Sequence, residues 1–213
     1  MLCVSVAAVT RGVWLSTIGR SLVCRERVGV TDAILVENFD INYQVFERAA
    51  ALQRAGLASR ILVPAQASRD DPGFANPISR DIAELMADHA RAPGVEIIPI
   101  KEIEPYTLNA AYQIRDFLVR EHLRSVLVVV PALRSERSSL VYRAVLTPAG
   151  IDVGCAPVVG DHSPDNWTSS WHGIQAVTEQ FIKLQYYRFH VLRGARHPAG
   201  DDAAGQPSRA ARS

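Results

Sequence analysis

Ser125-Val-Leu-Val-Val-Val-Pro-Ala-Leu-Arg-Ser-Glu-Arg137 is the stretch that decides the fold. An unbroken aliphatic run with no polar alternation is what a strand buried on both faces requires. Pro131 ends the run, because its nitrogen has no hydrogen to give to a sheet ladder. A polar, doubly basic stretch follows, and then a helical pattern begins. The loops at the carboxyl ends of such strands are where open α/β sheets bind ligands.

Outward from this strand the same unit recurs. Upstream, residues 32–37 (Asp-Ala-Ile-Leu-Val-Glu), 60–64 (Arg-Ile-Leu-Val-Pro) and 95–100 (Val-Glu-Ile-Ile-Pro-Ile) read as strands. Downstream, 151–156 is a further short apolar run. Between them lie segments of helical period. Residues 43–55 place Val45, Phe46, Ala49 and Leu52 on one face, with Gly56 as the residue past the end. Ser79 is the expected N-cap of a helix reaching about residue 92, and Thr107 that of one facing inward with Ala111, Ile114, Phe117 and Leu118. A helix over 135–146 is expected to turn Leu140, Val141, Ala144 and Val145 inward. Ser163 or Asp165 is expected to cap a last helix carrying Trp167, Trp171, Ile174, Val177, Phe181, Ile182, Leu184 and Tyr187. Short apolar strands alternating with amphipathic helices specify an α/β fold. The expectation is a three-layer, doubly wound, mainly parallel sheet of five to six strands with helices on both faces, Rossmann-like in form.

The domain is expected to occupy residues 31–192. Residues 193–213 lack apolar periodicity and read as a disordered tail. Residues 1–30 hold two apolar stretches, 2–9 and 13–23, interrupted by Thr10-Arg11 and by Arg20. Neither reaches the ~18 uninterrupted apolar residues of a spanning helix. Three readings stand: the apolar region of a signal peptide, a truncated membrane anchor, or a segment packing loosely on the domain.

The formal net charge is +1, with no basic surplus to hold a nucleic acid. The three cysteines, Cys3, Cys24 and Cys155, are odd in number and lack C-x-x-C spacing, so buried or incidental thiols are expected rather than a disulfide framework or a zinc site. The histidines are scattered, with no pair spaced for a metal.

The loops after the strands carry the candidate site residues. Arg134 and Arg137 stand three apart at a helix start, where guanidinium forks and free N–H groups favour phosphate or carboxylate; two solvated arginines, paired with Glu136 or Asp161, are the alternative. Thr107 and Asn109 open another helix at the same edge. Glu37, Asn38 and Asp40 follow the first strand, where a carboxylate suits acid or base work. Pro64-Ala-Gln66 follows the second strand. Neither turn has the glycines of a dinucleotide site, and no G-x-S-x-G nucleophile elbow occurs.

The order of these elements resembles the YdcF/SanA/ElyC family, a bacterial group with a Rossmann-like domain of largely unknown function. The resemblance spans about residues 14–192. Asp32-Ala-Ile-Leu-Val36 resembles its opening strand, Arg48-Ala-Ala-Ala-Leu-Gln-Arg-Ala-Gly56 its first helix, Tyr106-Thr-Leu-Asn-Ala-Ala111 its Asn-Thr-x-x-Asn-Ala segment, and Glu179-Gln-Phe-Ile-Lys-Leu-Gln-Tyr-Tyr187 its closing helix. Val128 to Arg137 lies where the family has Val-Thr-Ser-x-x-His-x-x-Arg, so Arg134 occupies the histidine position. Glu37-Asn-Phe39 and Pro64-Ala-Gln66 replace the family's glycine-bearing turns, and Tyr106 replaces its first asparagine. Thr107 and Arg137 match directly. The resemblance implies a cell-envelope or polysaccharide-related role, a membrane-proximal lead-in at 14–23, and a membrane-associated or cytoplasmic place in a bacterium. An arginine stays protonated and cannot replace the imidazole as a base. The chain is therefore expected to bind an anionic small molecule, phosphorylated or nucleotide-like, through Asn38, Gln66, Thr107, Asn109, Arg134 and Arg137. The alternative is an enzyme acting on such a metabolite, with Glu37 or Asp40 as acid/base.

Overall fold

A computed structural model describes residues 14–39 and 42–195. Cys3, Asp40, the apolar stretch 2–9 and residues 196–213 of the expected tail lie outside these residues. The sheet has five parallel strands: β1 (Ala33–Val36), β2 (Arg60–Gln66), β3 (Val95–Ile100), β4 (Ser125–Pro131) and β5 (Asp152–Val158), in the order β3-β2-β1-β4-β5. The helices between them are α1 (Tyr43–Arg54), α2 (Pro77–His89), α3 (Tyr106–Arg120) and α4 (Ala132–Leu146), and α5 (Trp171–Tyr186) follows β5. The α/β class, the parallel sheet and the alternation are as the sequence predicts.

Alternation along each strand divides the core in two. Ile34 and Val36 of β1 join Ile61, Val63, Leu127 and Val129 beneath α1 and α2, around Phe46, Ala49 and Ala83. Ala33 and Leu35 join Val126, Val128 and Val130 beneath α3 and α4, around Ile114, Leu118, Val141 and Tyr142. The chain after β1 thus turns to one face and the chain after β4 to the other. These two strands are neighbours, so their carboxyl ends open a crevice at the topological switch point.

Several helix starts differ from expectation. Asn76, not Ser79, caps α2, its Oδ1 accepting from the N–H groups of Ile78 and Ser79. Ser170 caps α5, and Trp167 lies in a separate 3-10 turn. Helix α3 begins one residue before Thr107, which is therefore helical and buried rather than a cap. Helix α4 begins at Ala132, so Arg134 and Arg137 lie inside it. Its inward face also differs: Ala144 is exposed, whereas Tyr142 and Leu146 are fully buried.

The largest correction concerns the cysteines. Cys24 and Cys155 form a disulfide, 131 residues apart in sequence. Around it the segment before β1 is held against the sheet. Arg27 pairs antiparallel with Cys155 on the outer edge of β5, and Leu22 O accepts from the N–H of Glu136 in α4. Ser135 Oγ accepts from the N–H of Cys24 at 2.8 Å. Gly154 permits this approach, because a Cβ there would meet Arg27 O at 2.7 Å. Residues 14–20 are helical and pack with Leu15, Ile18 and Leu22 on Trp167, Val177 and Leu184 of the last helical region. The boundary expected at residue 31 thus falls inside a packed segment. Among the described residues no helix is long and apolar enough to cross a membrane.

Candidate functional site

The crevice between β1 and β4 is a polar layer built by two periodicities. On β1, alternation carries the face of Ala33 and Leu35 on to Glu37, so the carboxylate points under α4. On α4, Arg134, Ser138 and Tyr142 recur every four residues and share one face, with Arg137 beside them. The two arrays meet. Arg134 Nε lies 3.4 Å from Glu37 Oε1, and its Nη2 donates to the Glu37 carbonyl at 3.3 Å. Glu37 is 0% exposed and Arg134 7%. Ser138 Oγ and the Tyr142 hydroxyl are buried without a hydrogen-bond partner among the described residues. Burial, then the negative charge of Glu37, pushes the Tyr142 phenol well above its ordinary value, so it stays protonated.

Arg137 is held differently. Its Nη1 donates to Thr107 Oγ1 at 2.9 Å and its Nη2 to Gln180 Oε1 at 3.3 Å. The guanidinium lies 5.3 Å from the centre of the Tyr187 ring, whose hydroxyl accepts from the Thr107 N–H. Arg137 is 9% exposed and has no carboxylate partner among the described residues. A guanidinium remains protonated. Arg134 is therefore compensated by Glu37, whereas Arg137 is a nearly buried cation held by neutral groups, which is costly without a counter-ion.

Above Arg137 opens a cleft of about 680 Å³, also lined by Phe39, Glu102, Glu104, Tyr106, Lys183 and Tyr186. Phe39 meets Tyr106 edge-on at 4.8 Å, and Tyr186 meets Tyr187 edge-on at 5.9 Å, so the cleft has aromatic walls. Burial, then the charges of Glu102 and Glu37, raises the Tyr106 phenol to about 12, keeping it a hydrogen-bond donor at neutral pH. The rim carboxylates are engaged: Glu102 accepts from Gln66 Nε2 at 2.8 Å, and Glu104 from the Tyr106 N–H at 3.1 Å. A second, smaller cleft of about 290 Å³ lies across Arg134, toward Gly160, Asp161 and His162.

Of the residues expected from sequence, Thr107, Arg134 and Arg137 come together, and Gln66 stands beside them through Glu102. Asn38 is half-buried next to Phe39, its Oδ1 without a hydrogen-bond partner among the described residues. Asn109 does not join them: its Nδ2 donates to the Pro105 carbonyl, one turn back in its own helix. Glu37 contributes no surface to either cleft, so it positions Arg134 instead of meeting a ligand. The arginines are not solvated; neither Glu136 nor Asp161 pairs with them, Glu136 facing Arg188 instead. Leu22 O accepts from the N–H of Glu136, just past the first turn of α4.

Gln180, Lys183, Tyr186 and Tyr187 were outside the expected site. Their signal was present but reads first as packing: the aromatic pair closes a helix whose period suits a buried face. A π-helical turn over Tyr187–Val191 widens the helix there, a feature that recurs at functional positions. No protein-family model matches the chain, and no curated protein matches it.

Proposed function

We propose that the chain binds an anionic small molecule, phosphorylated or nucleotide-like, in the cleft above Arg137. One observation carries the reading: Arg137 is a nearly buried cation whose partners, Thr107, Gln180 and the Tyr187 ring, are all neutral. A phosphate or carboxylate there gains charge-assisted bonds and supplies the missing counter-charge. Lys183 on the same wall adds positive charge, and the rings of Phe39, Tyr106, Tyr186 and Tyr187 offer faces and edges to a flat group. A cell-envelope setting is supported by the Cys24–Cys155 disulfide, since such bonds persist in oxidising compartments.

The enzymatic alternative gains no support from Glu37, which is ion-paired and enclosed, and Asp40 lies outside the described residues. The test is calorimetric titration with inorganic phosphate, a nucleoside monophosphate and a hexose phosphate. At least one organic phosphate is expected to bind, more tightly than inorganic phosphate. Arg137→Gln is expected to weaken it by about 1.5–3 kcal/mol, ten- to a hundredfold. Thr107→Val, which unpins the guanidinium, is expected to weaken it less. Unchanged affinity in a folded Arg137→Gln protein would remove the cleft from the reading.

A further inference from the structure

The cleft above Arg137 and the smaller cleft beyond it share a wall. Arg134 lines both. Gln180 lines the smaller one, and its Oε1 accepts from Arg137, which lines the larger. Arg134 and the Arg137–Gln180 pair therefore stand between two spaces of about 680 and 290 Å³. The two arginines are neighbours on one face of α4. The donors of Arg137 are incompletely used. Its Nε is buried without a hydrogen-bond partner among the described residues, and its 3.3 Å bond to Gln180 is longer than an ordinary one.

We infer that the ligand is a phosphodiester, its phosphate on this shared wall and one arm in each cleft; this rests on the reading that the site above Arg137 takes an organic phosphate. Charge selects the diester. Of the cations lining the larger cleft, Arg134 faces Glu37 and Lys183 pairs with Glu179, which leaves Arg137 without a carboxylate partner among the described residues. Glu102 and Glu104 stand on the same rim. One uncompensated cation beside two carboxylates matches the single charge of a diester. A phosphomonoester carries about −1.5 to −2 at neutral pH, and its second charge would meet the rim carboxylates. A terminal phosphate also leaves the smaller cleft unused, whereas a diester fills both.

The clefts differ, so the arms differ. The larger has the rings of Phe39, Tyr106 and Tyr186 in its walls, which suit a flat group. The smaller is edged by Asn42, Asp161 and His162. Apart from Arg134 its lining has no guanidinium or ammonium group, and Asp161 opposes a second negative charge. These side chains accept from and donate to hydroxyls. The arm held there is neutral, hydroxyl-bearing and compact, of the size of glycerol.

Calorimetric titration of the full chain tests this. Adenosine monophosphate and glucose phosphate are each compared with their methyl and glyceryl phosphodiesters. The methyl esters have the charge of a diester without a second arm. In at least one series the methyl ester is expected to bind no more weakly than its parent phosphate, and the glyceryl ester about tenfold more tightly than the methyl ester. Ala176→Phe and Gly160→Phe, each filling the smaller cleft, are expected to reduce that glyceryl preference at least about fivefold. Gly160 is exposed, and a Cβ there meets only the end of the Gln44 side chain. Far-ultraviolet circular dichroism checks both variants, and either alone suffices if the other does not fold. Glyceryl esters no tighter than methyl esters in both series overturn the inference, and the anion site still stands if Arg137→Gln weakens the monoesters. Methyl esters weaker than their parents in both series, or a glyceryl preference unmoved in the folded phenylalanine variants, overturn it as well. Binding of none of the six compounds removes the anion site and the inference together.

Discussion

Removing the Cys24–Cys155 bond should cost stability that can be sized from its place in the chain. The bond closes a loop of 131 residues. Chain-entropy reasoning for such a loop gives about 5 kcal/mol at 25 °C, and native disulfides typically deliver 2–5 kcal/mol. The observed loss should fall toward the upper part of that range without destroying the fold, because the bond is not the segment's sole tether. The N–H of Cys24 still reaches Ser135 Oγ, Arg27 still pairs with Cys155, and Trp167 Nε1 still donates to the Leu15 carbonyl at 3.0 Å. In urea, with a slope of about 2 kcal/mol per molar, the loss becomes a midpoint lowered by roughly 2 M. The assay compares oxidised protein, reduced protein and the Cys24→Ala/Cys155→Ala variant. Thiol titration of the denatured, unreduced chain should find one thiol, that of Cys3, and all three after reduction. Three thiols before reduction, or a midpoint that reductant leaves unmoved, would refute the reasoning and with it the argument for an oxidising compartment.

Two further outcomes are expected. Glu37→Gln removes the carboxylate that compensates buried Arg134 and should lower unfolding stability by about 3 kcal/mol, read by urea denaturation; a loss within error would mean that the pair is not formed. Asp32 accepts from the N–H groups of Arg124 and Ser125 and from Ser125 Oγ, tying the start of β1 to the start of β4. The Arg124 N–H foremost, against the opposing desolvation that comes next and with the help of the two Ser125 bonds, holds its carboxyl below the ordinary 3.8. A depressed carboxyl contributes stability that is present above its unfolded value and lost as pH falls through its folded value. Asp32→Asn should therefore lower the unfolding midpoint at pH 7, with the difference from wild type fading below pH 3.8; a constant difference down to pH 2 would show that the carboxylate's charge is irrelevant.

The fold was legible because burial on both faces leaves a strand little compositional freedom. Val126 to Val130 and Ile34 to Val36 can hardly be read otherwise, and parallel order follows from the helices between them. Helix starts were less legible. Thr107 has the chemistry of a cap but sits one residue inside α3, where its hydroxyl serves Arg137. Ser79 has the chemistry of a cap, but the cap is Asn76, and Pro77 after it is the first helical residue. The disulfide left no local signal, since two cysteines 131 residues apart meet only once the sheet has formed. Its trace was arithmetic: an odd count permits one pair and one free thiol.

The site was half legible for a related reason. Arg134 and Arg137 look equivalent in sequence, three residues apart in one polar stretch. Nothing local says that one is compensated and the other is not. The distinction comes from β1, where the two-residue period of Ala33 and Leu35 brings Glu37 beneath α4, within reach of Arg134. Extending that period one step past the apolar run would have predicted a buried carboxylate at Glu37, and a four-residue step along α4 from Tyr142 through Ser138 would have named Arg134 as its partner. Arg137, off that line, turns instead to Thr107 on α3 and Gln180 on α5. Its charge is thus left without a carboxylate partner among the described residues by the geometry of three separate elements, which no stretch of sequence read alone contains.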